Sequence, residues 1–324
     1  MKNSRKINHK ITAIIVFVLL LSSCSKVLND VEDLERYPAK GTFEDPITAN
    51  AFLYNLYSRT LSGWPVNQGN YADESKGIVA EGWITTDNST MKFWPYQSIR
   101  NINIFLQEMS NSSLSKDQKD PMIGQAKFLR AFLYFKMVYH HGGVPIIEVP
   151  QDINDDLKVK RNSTAECFDF IEKDLKEAET VLPNKFIGGD RGKIDKAIVK
   201  AFLGRVLLFK ASPQFNPSNP YGNSFWQNAY TANKDAITFL DQNGYGLLED
   251  FSKLFETKGH KENILSVVYV NPAKTNGRGE DAVRPLSESK NATGGDEPSW
   301  GMSLAFPMKD GKMPCDPNSK YTYN

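Results

Sequence analysis

Apolar residues recur along this chain at helical spacing far more often than in strict alternation. The first such run lies over Ile47 to Leu61, where Ala51, Phe52, Leu53, Leu56 and Tyr57 form an apolar stripe. Further helices are predicted over Tyr96 to Met109, Pro121 to His141, Thr164 to Leu182, Asp195 to Ser212 and Trp226 to Asn243. Polar residues punctuate three of these starts: Asp120 before Pro121, Ser163 before Thr164, and Asp195 itself. Each can accept hydrogen bonds from the free amides of a first turn. From Asp120 onward the starts fall roughly 31 to 43 residues apart with short connectors, which predicts a mainly α, tetratricopeptide-like helical-repeat scaffold with loop-rich excursions. The signature residues of that repeat are absent, so the expectation concerns architecture alone.

Two stretches break the pattern. Between Ser62 and Ser89 the chain carries Gly63, Pro65, Gly69, Gly77 and Gly82, interleaved with Trp64, Tyr71 and Trp83, as a long loop with aromatic content. Loops of this kind, held by a rigid scaffold, are where binding residues concentrate. Beyond Gly244 the sequence turns to Pro, Gly, Asn and Ser, with one strand-like run, Ile264 to Val270, and little material for a core of its own.

The N-terminus changes the picture of where this chain works. Lys2, Arg5, Lys6 and Lys10 precede an apolar run from Ile11 to Leu21, followed by Ser22, Ser23 and Cys24. That order reads as a signal peptide. The run is about eleven residues, too short for the roughly 20 that span a bilayer as a helix. LSSC resembles the lipobox of bacterial lipoproteins, which implies Cys24 as an acylated mature N-terminus. Several acyl chains bury far more CH₂ groups than the one chain that binds marginally, so the anchorage would be stable. The segment Ser25 to Asp45, with Asp30, Glu32 and Asp33, reads as a tether. The remaining cysteines, Cys167 and Cys315, form neither a disulfide framework nor a metal spacing, and Cys167 is expected as a small buried thiol. The 39 basic and 38 acidic residues nearly cancel, which removes the field that nucleic-acid binding needs. The charged helix FDFIEKDLKEAE reads as a solvated face with i, i+4 pairs such as Glu172 with Lys176.

The stretch GQAKFLRAFLYFKMVYHHGGVPII, Gly124 to Ile147, closely resembles the signature helix of the SusD/RagB family. Phe128, Leu129, Phe132, Phe135, Val138 and Tyr139 make it apolar nearly all round, as a helix buried between others should be. Gly142 and Gly143 stop it and Pro145 prevents its continuation. Three more segments resemble the family in order: WPYQSIRNINIFLQEM, with Trp94, Tyr96, Ile99 and Asn103; GKIDKAIVKAFLGRVLLFKASPQFNP, ending in an Ala-Ser-Pro turn before Phe215 and Asn216; and SWGMSLAFPMKDGKMP, with a Lys-Asp-Gly turn. The resemblance implies a lipid-anchored, surface-exposed protein of the bacterial outer membrane. Such a protein binds an oligosaccharide, or in some relatives a peptide, without catalysis, and delivers it to a SusC-like TonB-dependent transporter. It implies four regions: a signal peptide (1–23), a lipidated tether (24–45), a helical scaffold (46–243) and a loop-rich start of the C-terminal region (244–324). Members of the family usually continue past the Lys-Asp-Gly segment, so this chain reads as truncated.

Sugar rings present flat apolar CH faces and equatorial hydroxyls, so a glycan site pairs aromatic platforms with planar polar groups. Two segments offer both: Trp83 with Asp87 and Asn88, and Trp300 after Asp296 and Glu297. Tyr71 is a further candidate, whereas Asp73 and Glu74 read as a turn. Trp94 is expected in the core, because it opens a helix whose apolar side continues through Ile99 and Ile102. Enzymatic signals fail. HHGGVP resembles an esterase oxyanion loop, but no G-x-S-x-G elbow occurs. GRGEDA, Gly277 to Ala282, lacks the strand-to-helix context of a dinucleotide turn. The four histidines give no metal spacing, and no cofactor is implied. A surface glycoside hydrolase remains the alternative from another class, since the separation of two carboxyls is a three-dimensional quantity.

Overall fold

The computed structural model describes residues 39–61, 93–152, 154–254, 256–257, 259–269, 287 and 298–321. The signal peptide, Cys24, most of the tether, and Tyr71, Trp83, Asp87 and Asn88 lie outside these residues. So do Asp73, Glu74, Asp296, Glu297 and GRGEDA. Among these described residues eight α-helices follow in order: α1 (Ala39–Glu44), α2 (Pro46–Thr60), α3 (Tyr96–Asn111), α4 (Lys116–His141), α5 (Thr164–Val181), α6 (Lys196–Ala211), α7 (Phe225–Gln242) and α8 (Trp300–Leu304). From α1 to α7, successive helices pack on one another. The most extensive contacts are within the pairs α4–α5 and α6–α7, and α4 also touches α2, α3 and α6. This is the tetratricopeptide-like helical scaffold that the spacing predicts.

Two of the three predicted caps form. Ser163 and Glu166 close a reciprocal capping box at α5, with Ser163 N donating to Glu166 Oε2 at 2.7 Å and Glu166 N to Ser163 Oγ at 3.2 Å. Asp195 caps α6 by accepting from Ile198 N at 3.1 Å, and its second oxygen accepts from Phe186 N at 3.2 Å. The third differs. Asp120 and Pro121 do not open α4, which begins at Lys116 under a capping box of Ser115 and Gln118. Pro121 therefore sits inside the second turn, where its ring removes the bond to the Asp117 carbonyl. The neighbouring backbone is held by other means. Gln125 Nε2 donates to the Pro121 carbonyl at 2.9 Å, Tyr57 Oη donates to Gln125 Oε1 at 2.7 Å, and Ile194 N donates to Tyr57 Oη at 2.8 Å. That relay ties α2, α4 and the approach to α6.

Three further expectations change. The tether does not run to Asp45: its last residues form α1, whose Phe43 is buried and meets Phe52 and Phe105 at centroid distances of 5.3 and 5.9 Å. Ala51 is exposed; Leu53 and Leu56 of the predicted stripe are buried, joined by Ala49. Residues 264–269 form no strand, and Leu265 and Val268 are exposed. An extended run becomes a strand only when another segment supplies its ladder, and none among the described residues does.

The core is centred on α4. Phe128, Phe132 and Phe135 meet Phe202 of α6 at 5.2 to 5.4 Å, and Phe135 meets Phe209 edge to face at 5.1 Å. Cys167 is fully buried, its thiol pushed up by burial and placed 3.4 Å from both backbone groups of Val144. The turn after α6 is closed by Asn216, whose Nδ2 donates to the carbonyls of Lys210 and Ser212, while Phe215 packs edge to face on Phe168 at 5.0 Å. After Ala236 no described residue is buried, in keeping with a C-terminal stretch poor in core.

The charged face of α5 is solvated in part. Glu172 pairs with Lys176 at 2.7 Å and with Lys210 of α6 at 3.1 Å. Asp174, from the same run, is fully buried. Its carboxylate receives a two-pronged guanidinium from Arg130 of α4, Nε to Oδ2 at 2.7 Å and Nη2 to Oδ1 at 2.8 Å. Burial raises the Asp174 pKa, and the guanidinium opposes that rise.

Removing one member of a buried pair leaves an uncompensated charge, so Asp174→Ala is expected to lower the unfolding free energy by about 3–5 kcal/mol in urea titrations. The joint change Arg130→Met with Asp174→Leu should recover much of that loss. Equal losses in the single and joint variants would overturn the assignment. Hydrogen bonds from the Ser163 side chain and backbone hold the Glu166 carboxyl below its usual range. Stability from this cap is present above the ordinary glutamate pKa and is lost as pH falls through the lower folded value. The stability gap between the wild type and Glu166→Gln, present at neutral pH, should therefore close on acidification. A gap that does not change with pH would refute the linkage.

Candidate functional site

The helix break after α4 positions the most elaborate polar arrangement in the described residues. Gly142 takes φ 71, a left-handed conformation in which side chains are strained. Gly143 is required for space, because a Cβ there would lie 2.0 Å from the Asn162 carbonyl oxygen. The chain then runs extended beside α3 and α4 with no partner strand among the described residues, and side chains take the place of a ladder. Tyr96 Oη donates to the Pro145 carbonyl at 2.9 Å, and Ile146 N donates to Asn162 Oδ1 at 3.0 Å. Ile147 N donates to Tyr134 Oη at 2.8 Å, and Asn103 Nδ2 donates to the Ile147 carbonyl at 2.8 Å. Arg130 Nη1 donates to Asn103 Oδ1 at 2.8 Å and to the Glu148 carbonyl at 3.2 Å, and Arg100 reaches the Gln151 carbonyl.

A hollow of about 370 Å³ lies over this arrangement, lined among others by Asn103, Ile123, Lys127 and Glu148. Its charged groups are already engaged. Arg130 spends its donors on Asp174, Asn103 and Glu148, and Lys127 pairs with Glu177. The network is therefore structural, and the chemistry for a ligand has to come from exposed groups.

Exposed aromatic rings supply such groups. Of the sequence-predicted ligand residues Trp83, Asp87, Asn88, Trp300 and Tyr71, the described residues include only Trp300. It opens α8 under a Ser299 cap, with Met302 N donating to Ser299 Oγ at 3.1 Å, and it is 66% exposed. Phe306, just beyond the helix, is 60% exposed. The following Lys-Asp-Gly turn forms as expected, with Gly311 at φ 77 and its N–H donating to the Met308 carbonyl at 2.8 Å. Asp310 steadies the turn, accepting from Lys320 N at 2.8 Å and from Lys312 N at 3.2 Å, bonds that hold its carboxyl below the usual range.

Trp94 is the residue that sequence reasoning misplaced. It is 48% exposed rather than in the core, and its indole stacks on His141 with centroids 4.5 Å apart and planes at 7°, with Tyr96 nearby at 6.2 Å. Pro95 holds the N-cap position of α3, so Trp94 precedes the helix and the 3.6-residue period does not govern it. The double histidine at the end of α4, read only as part of a helix stop, is the missed signal. Burial keeps the His140 pKa below its ordinary value, with His141 and Lys136 adding to the effect.

Among the described residues, no helix is long and apolar enough to cross a membrane, and no three His, Cys, Asp or Glu side chains gather as a metal site.

Known proteins resemble much of this chain. It is 27% identical over 223 residues to SusD-like protein P2 of Formosa agariphila, a match covering 66% of this chain and 41% of that protein. A SusD-like protein of Bacteroides fragilis shares the fold with a TM-score of 0.68 at 22% identity, covering 84% of this chain and 55% of the other. A SusD-like carbohydrate binding protein from the same species gives a TM-score of 0.67 at 23% identity with the same coverage. This chain thus spans about half the length of these solved relatives. The SusD-like family described as "Starch-binding associating with outer membrane" matches residues 19–208, more than half of the chain, and this protein belongs to that family.

Proposed function

We propose that this protein binds oligosaccharides at the outer surface of a bacterial cell, held there by lipid on Cys24, and passes them without chemistry to a SusC-like TonB-dependent transporter. The observation that carries this reading is the exposed indole of Trp300, presented on a short capped helix beyond a rigid helical scaffold. An aromatic ring of this kind offers a sugar the flat apolar face it needs. Trp83 with Asp87 and Asn88, and Tyr71, are the further contacts assigned by this reading, and Trp94 is a second exposed platform. Family membership supports the ligand class through its description as starch-binding and associating with the outer membrane. The structural likeness to a SusD-like carbohydrate binding protein of Bacteroides fragilis points the same way.

Calorimetric titration of the purified protein with a panel of starch-type and other neutral oligosaccharides tests the reading. Binding is expected, and Trp300→Ala or Trp83→Ala should weaken it by about 1–3 kcal/mol through loss of buried apolar contact. Release of shorter sugars during the titration would identify a hydrolase instead. Binding to peptides but to no glycan, by protein shown to be folded, would replace the ligand class.

A further inference from the structure

A second hollow is lined neither by Trp300 nor by the residues of the helix break. It has a volume of about 880 Å³, within the roughly 300–1,000 Å³ range of small-ligand sites. Its walls come from the turn between α5 and α6, the first residues of α6, the chain leaving α7 and residues 259–269. Four cationic side chains line it: Lys185, Arg191, Lys193 and Lys261. Among the described lining residues Asp195 is the one carboxylate. It is 3% exposed and accepts from Ile198 N and Phe186 N as the cap of α6, so one buried carboxylate stands against four cations.

The cations are held in place mainly by neutral groups. Lys185 donates to the Asn243 carbonyl at 3.0 Å and lies 3.8 Å from the centroid of the Tyr245 ring. Arg191 donates to the Gly259 carbonyl, which draws residues 259–269 against the turn. Lys193 alone of the four meets a carboxylate outside the lining, Asp190 at 2.6 Å. Burial, with Asp195 nearby, pushes the Tyr245 phenol up to about 12, so it remains a neutral donor at physiological pH. A concave wall with excess positive charge, Lys185 and Arg191 held by backbone carbonyls, an exposed Lys261 and a phenolic donor matches an anion that also carries hydroxyls.

We infer that this cleft is a second carbohydrate subsite, selective for oligosaccharides that carry an anionic substituent, either a uronate carboxylate or a sulfate ester. The inference rests on the oligosaccharide reading above for its ligand class and extends it to a charge preference. Lys185, Arg191 and Lys261 contact the anion, and Tyr245 donates to a ring hydroxyl.

Titrating the protein with an oligogalacturonate, a sulfated galactan oligosaccharide and a neutral oligosaccharide of equal length tests this, and the first two arms separate carboxylate from sulfate. At least one anionic ligand is expected to bind about tenfold more tightly than the neutral one. Added salt should erode the preference. Arg191→Gln and Lys261→Gln, each checked for folding by circular dichroism, should abolish the preference while leaving neutral binding intact, and Trp300→Ala should weaken neutral binding while leaving the preference. If neutral sugars bind and neither anionic ligand binds more tightly, the cleft inference fails and the broader reading stands. If anionic ligands alone bind, and the two cation variants lose them, the cleft stands and the Trp300 platform fails. A preference unchanged in both cation variants would overturn the cleft.

Discussion

A buried arginine fixes the geometry of this scaffold. Arg130 gives two parallel hydrogen bonds to Asp174 across the α4–α5 contact, a third to Asn103 of α3 and a fourth to the backbone at Glu148. Its guanidinium also lies 5.0 Å from the centroid of the Phe170 ring, so its flat face is covered as well as its edge. Desolvating two charges is costly, and a well-packed apolar pair could be as stable. What the pair supplies is direction. The planar fork accepts one register of α5 on α4, and Asn103 then carries that register to α3. Slippage of α5 along α4 would leave the charges unmatched.

How much of this could be read from the sequence depends on the distance over which each signal acts. Ser163 with Glu166 and Asp195 with the amides of α6 are local, and their spacing announces them. The Gly-Gly-Val-Pro break is local too, although the structure divides its labour: Gly142 supplies the backbone conformation and Gly143 the room. Pro121 misleads because a capping box one turn earlier outweighs it and Gln125 steadies the backbone around it. Asp174 reads as solvated because its neighbours Glu172, Lys173 and Lys176 are charged, while the partner that buries it sits on another helix. Phe43 looks like tether for the same reason, since the rings that receive it come from α2 and α3. Residues 264–269 have the composition of a strand but no partner among the described residues to make them one.

The candidate ligand surface follows the same division. Trp300 is visible in sequence because it stands in a glycine-rich context with no helical period around it, and the structure places it outside the core. Trp94 is hidden because the helix it precedes has an apolar side, and only the position of His141 at the far end of another helix shows where the indole goes. The rigid and exposed parts are thereby separated. Polar groups near Arg130 are consumed by the scaffold, and rings at Trp94, Trp300 and Phe306 keep surface to offer.

The segment after Gly143 has a consequence for the order in which the molecule assembles. Its backbone is held by Tyr96 and Asn103 from α3, Tyr134 and Arg130 from α4, and Asn162 from the approach to α5. None of these groups is a sequence neighbour of its target, so the segment gains nothing from local propensity and must wait until the three helices have docked. Helical repeats tend to fold by local nucleation and propagation. Here one short stretch imposes a nonlocal checkpoint on that process, and its ordering marks the moment at which separate helices become a single cooperative unit.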